Sequence, residues 1–320
     1  MKLQFISDED VAILLTHEMA YAAVERGLLA HALGAFDQPL KPYVRPGGRA
    51  GEFDHGRHIA MPAWVGADVN AVGLKWISSV PKNIERGLPR ASGLVVLNDV
   101  ATGVPVAVLE CGTLSARRTG AVAAIAWKHL GDRGDRVAIV GCGPINREVV
   151  GALNSLPTSV GEFRVFDVNH TRAEDFCNAI KSKSKCGLTV SATLESCVRG
   201  ATAIITATTG AKAYIEPQWV SDARLLIPLS LDDFCAETLL SADKIVVDDF
   251  TQANREEKLF HQLIRAGRLT RDQIYAELGE VVAGTKAGRT GNEIIYCNFM
   301  GMAVEDISVA KAVFDHLNRN

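Results

Sequence analysis

The sequence predicts an α/β protein in two parts, and three observations carry that prediction. From Gly131 onward, apolar strand-like runs alternate with helical stretches, the pattern of βαβ units around a parallel sheet. Before that point, four strand-like runs follow one another across turn signals, the pattern of an antiparallel meander. The length, 320 residues, suits about two domains at ~100–200 residues each. With 48% apolar and 22% charged residues, the chain can build a sizeable core.

At the N-terminus, Ser7 and Asp10 resemble a capping box. Val11, Leu14, Leu15, Met19, Ala22 and Ala23 recur near helical spacing, so residues 11–33 are expected to form one long amphipathic helix. Residues 34–56 are rich in Gly, Pro and polar side chains and read as loop around a short strand. "HIAMPAWVG", "AVGLKWISSV", "SGLVVLNDV" and "VPVAVLECG" then read as the meander. The Ala-rich stretch from Ser115 to Leu130 reads as a helix. "RVAIVG", "EFRVFDV", "GLTVSA" and "TAIITATTG" follow as strands, with "NREVVGALNSL", "RAEDFCNAIKSK" and "TLESCVRG" as the helices between them. "RLLIPLS" and "KIVVDDF" continue the series. The last stretch, residues 300–320, is an amphipathic helix able to pack back on the first domain.

Composition narrows the function. The net charge is -3 with both signs interspersed, and no Lys/Arg block marks a nucleic-acid or membrane patch. Seven scattered cysteines show neither CxxC nor Cys/His spacing, so no zinc site is expected, and free thiols fit a reducing cytoplasm. "MKLQFISDED" lacks the apolar core of a signal peptide, and no apolar run reaches the ~18 residues of a membrane span. A cytoplasmic address is expected.

In "VAIVGCGPINREVV", Gly141 and Gly143 sit where a parallel strand ends and a helix starts. Gly141 can take a backbone shape that a Cβ forbids. Gly143 clears the way for a pyrophosphate, which the free N–H groups and positive end of the helix would hold. The third fingerprint position is Asn146 rather than a small residue, so a tight strand-to-helix corner remains open as the other reading. Asp167, at the end of the next strand, could accept from the adenosine ribose hydroxyls of NAD or be a solvated strand end. Arg172 nearby leaves NADP open. Thr206, Thr208 and Thr209 could line the nicotinamide side, or owe their place to β-propensity. Gly141, Gly143, Pro144, Ile145, Asn146, Asp167, Thr206, Thr208, Arg118 and Thr119 are the expected cofactor-binding set.

Three cations stand out in the first part: Arg45, Lys75 and Arg118. Lys75, flanked by Leu74 and Trp76, either meets a negative partner inside or faces outward on a half-buried strand. Arg117 and Arg118 near a helix start oppose the helix dipole, which a bound anion would offset. Such cations suit a substrate carboxylate. Asp232 and Asp233, just past a buried strand, are candidates for general acid/base work or for the N-cap of "FCAETLLSA". His58, beside Arg57, reads as structural.

The lone strand cation before "VPKNIERGLP", then "ARRTGAVAAIAWKHL", then "IVGCGPINRE", resembles the ornithine cyclodeaminase/mu-crystallin family over essentially the whole chain. "LKPYVRPGGR", "RHIAMPAWVG", "LSLDDF", "IYAELGEVVAGTKAGRT" and "FMGMAVEDIS" look most like its siderophore-pathway branch. The resemblance implies an α/β fold in which a Rossmann-like NAD-binding domain, residues 117–298, is inserted in an α+β substrate and dimerisation domain, residues 1–116 with 299–320. It also implies a homodimer and a small amino-acid-derived substrate. Arg45, Lys75 and Arg118 match the family's carboxylate-binding cations. The cyclodeaminases' "GGDxPGK" turn is absent, which argues against ornithine cyclisation. Ungapped comparison lands on Asp232, whereas the branch's "SLRD" pattern makes Asp233 the better match. With Lys75, these form the expected catalytic set.

The function so implied is NAD-dependent oxidative cleavage of a secondary amine that joins glutamate to a diaminopropionate unit. Alternatives are an ornithine cyclodeaminase, a ketimine reductase or an alanine-type dehydrogenase. A non-catalytic dinucleotide-binding protein is the alternative of another class.

Overall fold

The computed structural model describes every residue except Met1, Arg133, Thr158, Ser159, Lys183, Ala211, Glu257 and Asn320. Lys183 and Asn320, each the expected end of a helix, lie outside the described residues. The chain divides into two units, Met1–Arg118 with Met302–Asn320, and Thr119–Gly301.

The first unit is built on strands β1 (Gln4–Ile6), β2 (Phe36–Asp37), β3 (Tyr43–Val44), β4 (Arg57–Val65), β5 (Ala71–Ser79), β6 (Ala91–Asn98) and β7 (Pro105–Glu110). Their order is β1-β7-β6-β5-β4-β2, with β3 also on β4. β4 to β7 form the expected antiparallel meander, whereas β1 adds in parallel beside β7. Strand alternation gives the sheet two faces. One turns Met61, Ala63, Lys75, Ile77, Val95 and Leu97 inward. The C-terminal helix Ala303–Arg319 packs on this sheet and on the helix His17–Ala32. The other face leaves Trp64, Trp76 and Leu94 about 40% exposed.

Three expectations are corrected here. The single helix over 11–33 is two, Asp8–Leu14 and His17–Ala32. Leu15 is extended at φ -83 and ψ 96, and the Thr16 side chain accepts from the Met19 N–H to start the second helix. Thr16 thus competes with the apolar periodicity and wins. The Ala-rich helix starts at Gly112, not Ser115. Asp8 accepts from both the N–H and the hydroxyl of Thr113 there, at 2.7 Å each, so the chain itself supplies the anion at that N-terminus. Arg117 and Arg118 accordingly lie in its second turn.

The second unit is an all-parallel sheet: β8 (Arg136–Val140), β9 (Glu162–Phe166), β10 (Gly187–Val190), β11 (Ala203–Thr206), β12 (Leu225–Pro228), β13 (Lys244–Val247), β14 (Ala276–Glu277) and β15 (Ile295–Asn298). The order is β10-β9-β8-β11-β12-β15-β13-β14. From β8 the chain winds outward through β9 and β10, then returns to β11 on the other side. The sheet therefore reverses direction between β8 and β11, the place where such sheets bind ligands at the strands' C-terminal ends. β14 and β15 had no counterpart in the sequence reading.

Candidate active site

Gly141, directly after β8, has φ +93, and a Cβ there would sit 2.5 Å from the Ala207 carbonyl oxygen. No larger residue fits. Gly143 caps the helix Pro144–Ser155 with Pro144 at its first position, and a Cβ on Gly143 would meet only open space. Asn146 is fully buried, and its amide nitrogen donates to the carbonyls of Val140 (2.9 Å) and Gly141 (2.7 Å). It pins the turn from beneath, which explains why a polar residue occupies the third fingerprint position. Ile145 is half-buried and Pro144 exposed.

The Asp167 carboxylate accepts from the N–H of Cys142 within this turn, at 2.8 Å, and from Asn169 at 2.9 Å. Arg172 is exposed, and its N–H is capped by Asn169. Burial, then the charge of Asp167, push the Cys142 thiol up to about 12, so it stays protonated and is no nucleophile. Thr206 ends β11 fully buried, and its hydroxyl has no hydrogen-bond partner among the described residues. An open approach at Gly143, a helix N-terminus and an orphaned hydroxyl beside the sheet's reversal fit a dinucleotide.

Asp233 is 1% exposed. Its Oδ1 accepts from Tyr214 (2.6 Å), Ser230 (2.8 Å) and Thr208 (3.2 Å), while its Oδ2 is buried without a partner among the described residues. Burial, then the Asp233 charge, raise the Tyr214 phenol, so Tyr214 remains a donor. The turn that delivers Asp233 is strained, with Leu231 at φ +78. Asp232 behaves differently. It accepts from Lys258 Nζ (2.7 Å) and from the N–H of Leu259 (3.0 Å) at the start of helix Leu259–Arg265. Neither aspartate caps the expected helix Ala236–Leu240, whose N-cap is Cys235. Thr209 is exposed.

In the first unit, β5 turns Lys75 inward to 1% exposure. Its Nζ lies 2.7 Å from Asp306 Oδ2, while Arg118 Nε lies 2.9 Å from Asp306 Oδ1. Arg118 Nη1 also meets Glu305 at 2.7 Å. One carboxylate thus bridges two cations, and both acids are fully buried on the C-terminal helix. Burial pulls the Lys75 ammonium below its usual value, Arg118 adds to that, and Asp306 opposes it. Arg45 meets Glu52 at 3.0 Å and lies 4.4 Å from the Tyr43 ring centroid. Arg117 donates to the carbonyls of Ala12 and Leu15, and Thr119 is half-buried one residue beyond Arg118. His58 holds Ser78 at 2.7 Å.

The sequence model of the ornithine cyclodeaminase/mu-crystallin family matches residues 1–320. The chain belongs to that family. It is 35% identical over 303 residues to the N-((2S)-2-amino-2-carboxyethyl)-L-glutamate dehydrogenase of Staphylococcus aureus, covering 93% of this chain and 90% of that protein. The structure matches the Δ1-pyrroline-2-carboxylate reductase of Thermococcus litoralis, solved with NADH and L-proline, at a TM-score of 0.89 and 25% identity, covering 99% and 98% of the two chains. It matches an archaeal alanine dehydrogenase dimer with bound NAD at 0.87 and 29%, covering 100% and 98%.

For this family member, sequence reasoning missed Asp306, Glu305, Tyr214 and Ser230. "VEDIS" offered two acids on an amphipathic helix, but nothing local said they face inward. Ser230 lies three residues before Asp233 in "LSLDDF", a spacing that could have been read as a local hydrogen bond.

Proposed function

We propose that this chain oxidatively cleaves N-(2-amino-2-carboxyethyl)-L-glutamate to 2-oxoglutarate and 2,3-diaminopropionate. The chain is an NAD-dependent dehydrogenase acting on a CH–NH bond. The observation that carries the substrate assignment is its likeness to the Staphylococcus aureus enzyme along 93% of its length.

Gly141, Gly143, Pro144, Ile145, Asn146 and Asp167 would hold NAD, with Thr206 and Thr208 toward the nicotinamide. The cofactor supplies a hydride acceptor for the carbon that bears the secondary amine. Lys75 and Arg118 hold a substrate carboxylate with charge-assisted hydrogen bonds, and Asp306 fixes both cations in place. Holding the reacting carbon still is itself a large rate term. Asp233 takes a proton from the water that adds to the resulting imine and returns one as the C–N bond breaks. Its Oδ1 is held by three hydroxyls, which leaves Oδ2 for that role. Asp232, tied to Lys258, serves the fold.

The reading includes a homodimer in the cytoplasm that supplies a siderophore or peptide-antibiotic precursor. The exposed apolar face around Trp64, Trp76 and Leu94 favours self-association. Among the described residues, no helix is long and apolar enough to cross a membrane. The test is to mix purified protein, NAD⁺ and the glutamate conjugate and to follow NADH absorbance. Signal with alanine but none with the conjugate sinks the substrate, and ammonia release from ornithine without net NADH turns the reading to a cyclodeaminase.

A further inference from the structure

We propose that Arg57 and Arg90 form a second carboxylate site that makes the protein select substrates with a distal carboxylate. The inference rests on the amino-acid dehydrogenase reading above and extends it to a part of the substrate that Lys75 and Arg118 leave unrecognised.

Sheet register places the two sites. Arg57 opens β4 opposite Ser79, and Lys75 lies opposite Met61 on the same strand pair. Positions 57 and 61 of β4 share one face, so Arg57 and Lys75 point to the same side of the sheet. Four residues of strand separate them by roughly 13 Å, a gap that two long basic side chains narrow toward the length of a dicarboxylic amino acid. Arg90 directly precedes β6, one residue before Ala91, which pairs with Ser79. The Arg90 carbonyl accepts from the Val80 N–H at 2.8 Å, fixing its backbone beside the same strand ends.

The chemistry there calls for an anion. Arg57 reaches Glu52 only at 3.5 Å, and Glu52 is already engaged by Arg45 at 3.0 Å. The Arg90 Nε is buried without a hydrogen-bond partner among the described residues. A buried guanidinium donor left unsatisfied is costly, and a bidentate carboxylate is the group whose geometry matches it. Burial, then the nearby Arg57, disfavour the charged form of Arg90, and Glu52 opposes them, so the acid near both arginines is divided among Arg45, Arg57 and Arg90. The carboxylates of an N-substituted glutamate supply one beyond the carboxylate at Lys75.

The experiment is calorimetric titration of the NADH-loaded chain with glutarate and with butyrate. We expect glutarate to bind more tightly in the unsubstituted protein. R57Q and R90Q should each weaken glutarate by about ten- to a hundredfold while leaving butyrate unchanged. R57K and R90K should keep part of the preference, and R57Q with R90K carries the test if R90Q does not fold. No preference in the unsubstituted protein, or a preference that survives both Gln variants, overturns the second site. These outcomes are independent of NADH production from the glutamate conjugate, so failure of the substrate assignment is read separately.

Discussion

Asp306 joins two buried cations through one carboxylate, each oxygen serving one of them. Asp306→Asn keeps the shape but offers one acceptor where two are needed, leaving a buried cation facing an amide N–H. The expected cost is about 3–5 kcal/mol, read from urea unfolding. Lys75 gives the same cluster a pH signature. Burial holds its folded value below the ordinary one, so the unfolded chain binds more protons between the two. Stability should therefore rise with pH up to about 10.4, the ordinary lysine value. Melts of Lys75→Met should lack that rise. Asn146 carries a third prediction. Asn146→Ala restores a small residue to the fingerprint yet removes both bonds to the turn carbonyls, so NADH affinity should fall about tenfold in a fluorescence titration. At this scale the sequence was half legible. Leu74 and Trp76 left Lys75 either paired inside or facing outward, and the acid that decides it lies on the helix Ala303–Arg319, which no local pattern names.

Among the elements, the helix Gly112–Leu130 shows how a distant residue sets a boundary. Asp8 binds the Thr113 N–H and hydroxyl and lies near the positive end of the helix dipole. Asp8→Ala should cost about 0.5–2 kcal/mol by denaturant unfolding. The Ala-rich composition made the helix legible from Ser115, but its first turn, "GTL", has no helical signature without Asp8. The break at Leu15 was misread for the opposite reason, since apolar spacing continues across it while the Thr16 cap ends it. β1, β2, β3 and β14 are two or three residues each, too short for any period to register.

For the molecule, the alternation of strands and helices made the parallel unit legible from β8 to β13. The place of β15 between β12 and β13 was not, because that order is decided by pairing between strands far apart in the chain. The outer face of the meander makes its own prediction. Trp76 is 40% exposed and neighbours Leu94 across the strand pair, so an isologous contact there would bury aromatic area at low entropic cost. Trp76→Glu should convert the proposed homodimer to monomer in sedimentation while preserving NADH binding.

The first unit draws on segments that come before and after the second in the chain, and this dictates a timetable during translation. Chains emerge at ~5–20 residues per second, and domains fold as they become complete. The parallel unit can close first. The meander meanwhile waits for the helix Ala303–Arg319, and until it leaves the ribosome Lys75 lacks Asp306, the acid 2.7 Å from its Nζ.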